Sequence, residues 1–454
     1  MFTAINPATG DTVASYPSTT TPELRAALRA ADKAWKSWRL TGYADRATLM
    51  RTAGRLLRER ADRYGRLMAL EMGKPIAAGL AESVKCATAC DYYADNAEHF
   101  LADEVIVTDA SRSFVHHEPL GSVLAVMPWN FPFWQVLRFA APTLMAGNVG
   151  LLKHAANVPG CGLAIEELFR DAGFPPGVFQ NLLIDHVQFR TAVRSPTVCA
   201  ITLTGSAAAG RAVAKLAGDR LKKTVLELGG SDPYLVLEDA DLDLAVETCV
   251  TSRLINSGQS CIAAKRFIVV DAVRAEFEER FVERMRRAKM GDPLDPSNDL
   301  GPLARRDLRD TLHAQVQQSI AKGARCLLGG EVPPGPGAYY PPTVLTDVGR
   351  RMAAYREELF GPVAAIIPVR NERAAIKVAN DSGYGLGAAV FTRDLARGER
   401  IAAYQLAAGS CFVNALVKSD PRLPFGGIKE SGYGRELSRQ GIHEFVNVKT
   451  VYVK

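Results

Sequence analysis

Four short segments carry side chains of types and spacings that could do chemistry. In Asn256-Ser257-Gly258-Gln259-Ser260-Cys261 a cysteine follows a turn of small residues and precedes IAAKRFIVV, a predicted strand. A loop thiol beside backbone amides can be held partly as thiolate, the nucleophilic form. Cysteine is also among the most buried residue types, so a core position fits this hexapeptide equally. Glu227 interrupts the apolar run TVLELGG and is followed by Gly229 and Gly230, which allow close backbone approach. Such a carboxylate is either a general base with a raised pKa or a strand-end glutamate paired with a cation. Pro128-Trp129-Asn130-Phe131-Pro132 is a rigid turn that can aim the Asn130 amide at a developing oxyanion, or a proline corner in which Asn130 satisfies backbone groups. In AITLTGSAAAG, a strand ends at Gly205 and a helix starts at Ser206, leaving free amides where a pyrophosphate could sit. The glycine spacing there is not G-x-G-x-x-G, and an ordinary strand-to-helix turn fits as well.

These segments need elements to hold them. TPELRAALRAADKAWKSW opens with a capping-box arrangement at Thr21 and Glu23 to Leu24, and helical periodicity continues to about Phe100. Residues 113 to 127 read as strands, and a helix begins near Trp134. Between Gly147 and Leu237, the strands VGLLK, FQNLLI, AITLTG, TVLELGG and YLVL alternate with amphipathic helices, which predicts a parallel sheet with helical crossovers. A second alternating series runs from Ala240 to Asn414 through RFIVV, ARCLLGG, AAIIPV, AAVFT and SCFVN. The terminal HEFVNVKTVYVK reads as a strand free to pair with another element or subunit.

A chain of 454 residues calls for two or three domains. Its 55 basic and 49 acidic side chains are interspersed, so neither nucleic acid nor a membrane surface is an expected partner. Eight scattered cysteines without zinc-type pairs predict free thiols in a reducing compartment and no metal. With no leader-like start and no run of transmembrane length, a cytoplasmic protein is expected.

Together the four segments resemble, in order and separation, the aldehyde dehydrogenase superfamily. The resemblance extends through NPATGD, EMGKP, MPWNFPFWQVLRFAAP, LLKHA, TLTGS, LELGGSDP, NSGQSCIAAKRF, GDPLDPSNDLGPL, YYPPTVL, EELFGP, NDSGYGLGAAVFTRD and PFGGIKESGYGRE. It implies an α/β fold with a Rossmann-like cofactor domain (1–104 and 121–229), a catalytic domain (230–437) and a small β oligomerisation element (105–120 and 438–454). It further implies that Cys261 is the nucleophile and Glu227 the base, while the Asn130 side chain and the Cys261 N–H form the oxyanion hole. Trp129, Lys153, Ala156, Gly205, Ser206, Leu228, Glu358 and Phe360 are the implied cofactor contacts, and a homodimer or homotetramer the implied assembly.

Within the superfamily the chain is most similar to short bacterial succinate-semialdehyde dehydrogenases. Arg138 stands eight residues past Asn130, where those enzymes present an arginine to the substrate carboxylate, and Ser419 and Arg253 are further candidates. Some relatives place a second arginine six residues before the nucleophile, where this chain has Ile255. Many NAD-preferring relatives have a glutamate three residues after the cofactor lysine, and here Ala156 occupies that position. An acid there would repel a 2′-phosphate, so the resemblance implies NADP, with NAD as a weaker substitute. Ala263 stands where some relatives carry a cysteine that bridges to the nucleophile, so this local switch is absent. The alternatives are an enzyme for another aldehyde, a phosphorylating or CoA-acylating member, and a non-enzymatic protein on the same fold. Glu227, as a base for water, favours hydrolysis.

Overall fold

A computed structural model describes all residues, 1–454. Two predominantly parallel sheets form its frame. In the first, the strands run in the order Gly432–Tyr433, Lys223–Glu227, Val198–Thr204, Ser122–Met127, Val149–His154, Phe179–Asn181. In the second the order is Arg325–Leu328, Thr343–Thr346, Val363–Val369, Ala264–Val270, Asp232–Val236, Gly387–Phe391, Ser410–Val413. The central strands of the second sheet are buried on both faces, as a sheet sandwiched between helices requires. Tyr234, Val236, Phe267 and Val269 pack into one core, while Leu235, Ile268 and Val270 pack into the other.

The parallel alternation expected from the sequence is present, with two changes of membership. YLVL, grouped with the first series, instead lies inside the second sheet, so the division falls between Glu227 and Asp232. The pair Gly432–Tyr433 leaves the second half of the chain to pair antiparallel with Leu226 and Glu227. The terminal segment is a strand, Val446–Val453, in full antiparallel register with Arg112–Pro119. The first long helix, Thr21–Trp38, is capped one residue earlier than its sequence suggests. Thr20 and Glu23 form the reciprocal box, because the cap must lie outside the helical φ/ψ region. No helix is long and apolar enough to cross a membrane.

The EMGKP segment ends the helix Ala61–Met72 and acts as a buried clamp. Glu71 accepts the N–H groups of Gly160 and Cys161 at 2.9 and 3.0 Å, at the start of the helix Pro159–Asp171. Burial raises its pKa to about 6 against the opposing effect of those donors. Lys74 is paired with Glu82, both buried, and its amine lies 3.8 Å from the centre of the Phe131 ring. The other oxygen of Glu82 accepts the N–H groups of Phe133 and Trp134, each at 2.9 Å, fixing the start of the helix Trp134–Met145. Removing one partner of a buried pair leaves the other charge stranded. Glu82→Ala should therefore destabilise the protein by about 3–5 kcal/mol, seen as a lower denaturant midpoint, whereas an unchanged midpoint would show that the clamp holds nothing.

Candidate active site

The two sheets deliver their residues from opposite ends. In the first sheet the C-terminal strand ends supply Trp129 and Asn130 after Met127, Lys153 and Ala156 around His154, Gly205 and Ser206 after Thr204, and Glu227 and Leu228. Order reverses beside Ser122–Met127, which makes its end a topological switch point, where ligand crevices form in such sheets. The second sheet presents its N-terminal ends: Gly229 and Gly230 before Asp232, Cys261 before Ala264, and Glu358 and Phe360 before Val363. The connection at the two glycines is tight. A Cβ at Gly229 would lie 2.5 Å from Glu358 Oε2, and one at Gly230 would lie 2.7 Å from the Cys261 carbonyl oxygen.

Cys261 is the wall between two cavities. One, of about 230 Å³, is lined by Trp129, Asn130, Thr204, Gly205, Ser206, Leu228, Gly229, Glu358 and Phe360. The other, about 70 Å³, includes Lys85, Trp134, Arg138, Lys418, Ser419 and Phe425 in its lining and holds no acidic side chain. Trp129 also borders a wider cleft of about 680 Å³ whose walls include Ala156, Arg305 and Arg306.

The loop ahead of Cys261 is strained and held from several sides. Asn256 and Ser257 have φ of 53° and 55°, in the left-handed region that favours glycine. Gly258 follows at φ +76°, where a Cβ would meet the Gly361 carbonyl carbon at 2.2 Å. Arg253 donates to the Gly258 carbonyl at 2.7 Å, the Asn256 amide donates to the Asn130 carbonyl at 2.7 Å, and Gln259 accepts the Ala304 N–H at 2.9 Å. Below the loop Lys265 donates to the carbonyls of Ser260, Cys261 and Ala263 at 2.9, 2.9 and 3.1 Å. Asn130 donates one amide hydrogen to the Gln259 carbonyl at 3.0 Å and accepts one from Gln135 at 3.1 Å. Its second amide hydrogen is free, and the Cys261 N–H makes no hydrogen bond within the protein.

Charge at the site is set mainly by burial. Burial pushes the Cys261 thiol up to about 12, although Arg138 and Lys265 act in the opposite direction. The thiol is therefore neutral rather than held partly as thiolate, because loss of solvent outweighs two nearby cations. Glu227 is buried, and neither carboxylate oxygen has a hydrogen-bond partner. Desolvation, then the neighbouring Glu436, holds its pKa well above the usual carboxylate range against the pull of Arg138. It is not the paired glutamate that its strand-end position also allowed. All eight cysteines are free.

Six of the cofactor candidates, Trp129, Gly205, Ser206, Leu228, Glu358 and Phe360, line the larger cavity beside Cys261, and Ala156 lines the cleft that Trp129 also borders. Ser206 caps the helix Ala207–Gly218 by accepting the Ala209 N–H, and Gly210 leaves room for Leu228, which a Cβ would meet at 2.7 Å. Glu358 accepts the Gly230 N–H through Oε1 at 3.0 Å, with Oε2 packed against Gly229. Phe360 stands edge-on to Trp129 at 5.7 Å. Lys153 makes no ion pair, and burial lowers its pKa. This set of a helix start, a free cation, a carboxylate for hydroxyls and an aromatic wall fits a dinucleotide.

Of the substrate candidates, Arg138 and Ser419 reach the smaller cavity and Arg253 does not. Arg253 is fully buried beneath the nucleophile loop, where its guanidinium holds the Gly258 carbonyl. Arg138 is buried, ion-paired to Glu436, and stacked 4.6 Å above the Phe425 ring. Lys85, Glu436, Lys265 and Gln259 also shape the site and were not singled out from the sequence. Gln259, Lys265 and Glu436 lie within the segments NSGQSCIAAKRF and PFGGIKESGYGRE, whereas Lys85 lies in none of the segments that carry the resemblance.

A loop thiol, an unpartnered buried carboxyl, two unused N–H donors and a cleft fit for a dinucleotide suit an NAD(P)-dependent aldehyde-oxidising enzyme. The chain matches the Aldehyde dehydrogenase family over residues 1–451 and belongs to it. It is 53% identical over 449 residues to a probable succinate-semialdehyde dehydrogenase [NADP(+)] of Synechocystis, covering 99% of both chains. It is 47% identical to the succinate semialdehyde dehydrogenase [NAD(P)+] of Escherichia coli, covering 99% of this chain and 97% of that one. The crystal structure of succinic semialdehyde dehydrogenase from Streptococcus pyogenes with NADP+ superimposes with a TM-score of 0.98, at 37% identity and full coverage of both chains.

The two acid–base groups should separate kinetically. Cys261→Ala should abolish turnover, whereas Glu227→Gln should retain a first-turnover burst of reduced cofactor and slow the steady state roughly 100-fold, within the range general-base catalysis supplies. Because the folded pKa of Glu227 is raised, steady-state turnover of the parent should fall as pH drops through that raised value. The Gln variant should lose this limb, and an identical pH profile in both proteins would remove Glu227 from the base role.

Proposed function

We propose that this enzyme oxidises succinic semialdehyde to succinate, with NADP as the preferred cofactor. One observation carries the substrate reading: the small cavity beside Cys261 contains Lys85, Arg138, Lys418 and Ser419 and no acid. A short aldehyde bearing a carboxylate suits such a space, and two relatives of about 50% identity are named for that substrate.

The protein's residues divide the reaction as follows. Cys261 gives up its proton to solvent and adds to the aldehyde carbon, while Glu227, an unpartnered buried carboxyl, is kept for the hydrolytic step. The oxygen that becomes negative meets the free Asn130 amide hydrogen and the Cys261 N–H. When bound in the opposite cavity, the nicotinamide supplies hydride acceptance at the carbon attached to sulfur. Glu227 lines neither cavity in this conformation, so its side chain must turn toward Cys261 to activate water against the thioester. Hydrolysis releases the second carboxylate and returns the thiol. The oligomeric contacts we assign to the sheet of Val446–Val453, Arg112–Pro119 and Glu104–Val105, where Val105, Val448 and Tyr452 are exposed.

Support for NADP comes from the cofactor cleft. Ala156 is exposed on its wall near Arg305 and Arg306, so no acid at that position opposes a phosphate. Ala156→Glu should raise the KM for NADP by about tenfold or more, equivalent to ~1.4 kcal/mol, while changing the KM for NAD far less. Initial rates with succinic semialdehyde and each cofactor test this. Equal effects on both cofactors would place the 2′-phosphate elsewhere, and an enzyme as active on butanal as on succinic semialdehyde would refute the substrate assignment.

A further inference from the structure

Resting on that substrate reading, we propose that Lys85, seated on Ser419, is the residue that selects for the carboxylate of the aldehyde. Lys85 comes from the long helix Ile76–Phe100 and reaches the wall of the small cavity that Cys261 also lines. Its amine donates to Ser419 Oγ at 2.8 Å and lies 4.2 Å from the centre of the Trp134 ring. It makes no ion pair with any carboxylate of the protein, whereas Arg138 in the same cavity is already paired with Glu436. A guanidinium so neutralised contributes a wall and donors but little net charge, which leaves two cavity lysines without a counter-ion: Lys418, which is exposed to solvent, and the half-buried Lys85, whose ammonium is screened less by water.

Ser419 completes the seat by elimination of its own bonding options. Its oxygen accepts from Lys85 and, at 3.1 Å, from Trp134 Nε1. A serine hydroxyl has two acceptor sites and one donor, so both acceptor sites are taken and the O–H is left to donate. The ammonium retains two unused hydrogens. A carboxylate placed between them receives two hydrogen bonds and meets the charge that the protein leaves unbalanced. Glu82 is committed to Lys74 and Asp420 to Arg422, while the Cys86 thiol behind Lys85 is kept neutral by burial. Burial and then Arg138 lower the Lys85 pKa to about 8, so its charge is lost as pH rises through that value.

The test is the ratio of kcat/KM for succinic semialdehyde to that for butanal, measured with saturating NADP in the parent, Lys85→Met and Lys85→Arg. The Met variant should lower this ratio at least about tenfold, as expected on removing one partner of a buried charge pair, and the Arg variant should restore most of it. In the parent, KM for succinic semialdehyde should rise above pH 8 relative to KM for butanal, and Lys85→Arg should lack this rise. If Lys85→Met keeps the parent's ratio, or if Arg138→Ala lowers the ratio while Lys85→Met does not, the proposal is overturned and the substrate reading survives. A parent that shows no preference for the charged aldehyde overturns both.

Discussion

The crossing at Gly229 and Gly230 is the constraint on which the site depends. There the chain leaves the C-terminal edge of one sheet and enters the N-terminal edge of the other, passing between Glu358 and the Cys261 carbonyl, where no Cβ fits. Because the sheets meet with opposite polarity, the first contributes helix starts and loop amides suited to a dinucleotide. The second contributes strand beginnings, and the residues just before them are free to form tight loops. Cys261 stands in one such loop and so faces both cavities at once. An aldehyde on one side and a hydride acceptor on the other need only a shared wall, and this arrangement supplies it.

Charge in this interior is rationed by desolvation. Cys261 and Glu227 are both shifted toward their neutral forms by burial. The cations that would oppose this are engaged with other groups: Lys265 with three carbonyls, Arg253 with the Gly258 carbonyl, and Arg138 with Glu436. The strained backbone at Asn256 and Ser257 persists because these side chains hold the loop from beneath. The Cys261 thiol is thus positioned by buried polar groups rather than by packing alone.

Much of this was legible in the sequence because it is local. Alternating apolar runs and amphipathic helices give two parallel sheets, and the residues flanking strand ends give the nucleophile loop, the cofactor turn and the proline corner. What was not legible depends on contacts distant in sequence. YLVL has the same pattern in either sheet, so its membership is decided by tertiary pairing with Ala264–Val270 and Gly387–Phe391. Glu436 and Arg138 are far apart in sequence, and their pairing changes the reading of an arginine that motif position alone makes a free substrate contact. Lys85 looks like any lysine on a helix until Trp134 and Ser419 fold around it. The thiol's protonation depends on burial, which a hexapeptide of small residues does not reveal.

The central claim is that the substrate is carried as a thioester on Cys261, between the two cavities. Peptide mass spectrometry of the enzyme quenched in acid during turnover of succinic semialdehyde with NADP tests this most directly. The account predicts one succinyl group, confined to the peptide containing Cys261 and removed by hydroxylamine. Turnover with no acyl group on that peptide under conditions that accumulate the acyl-enzyme, or with the group on another cysteine, would contradict it.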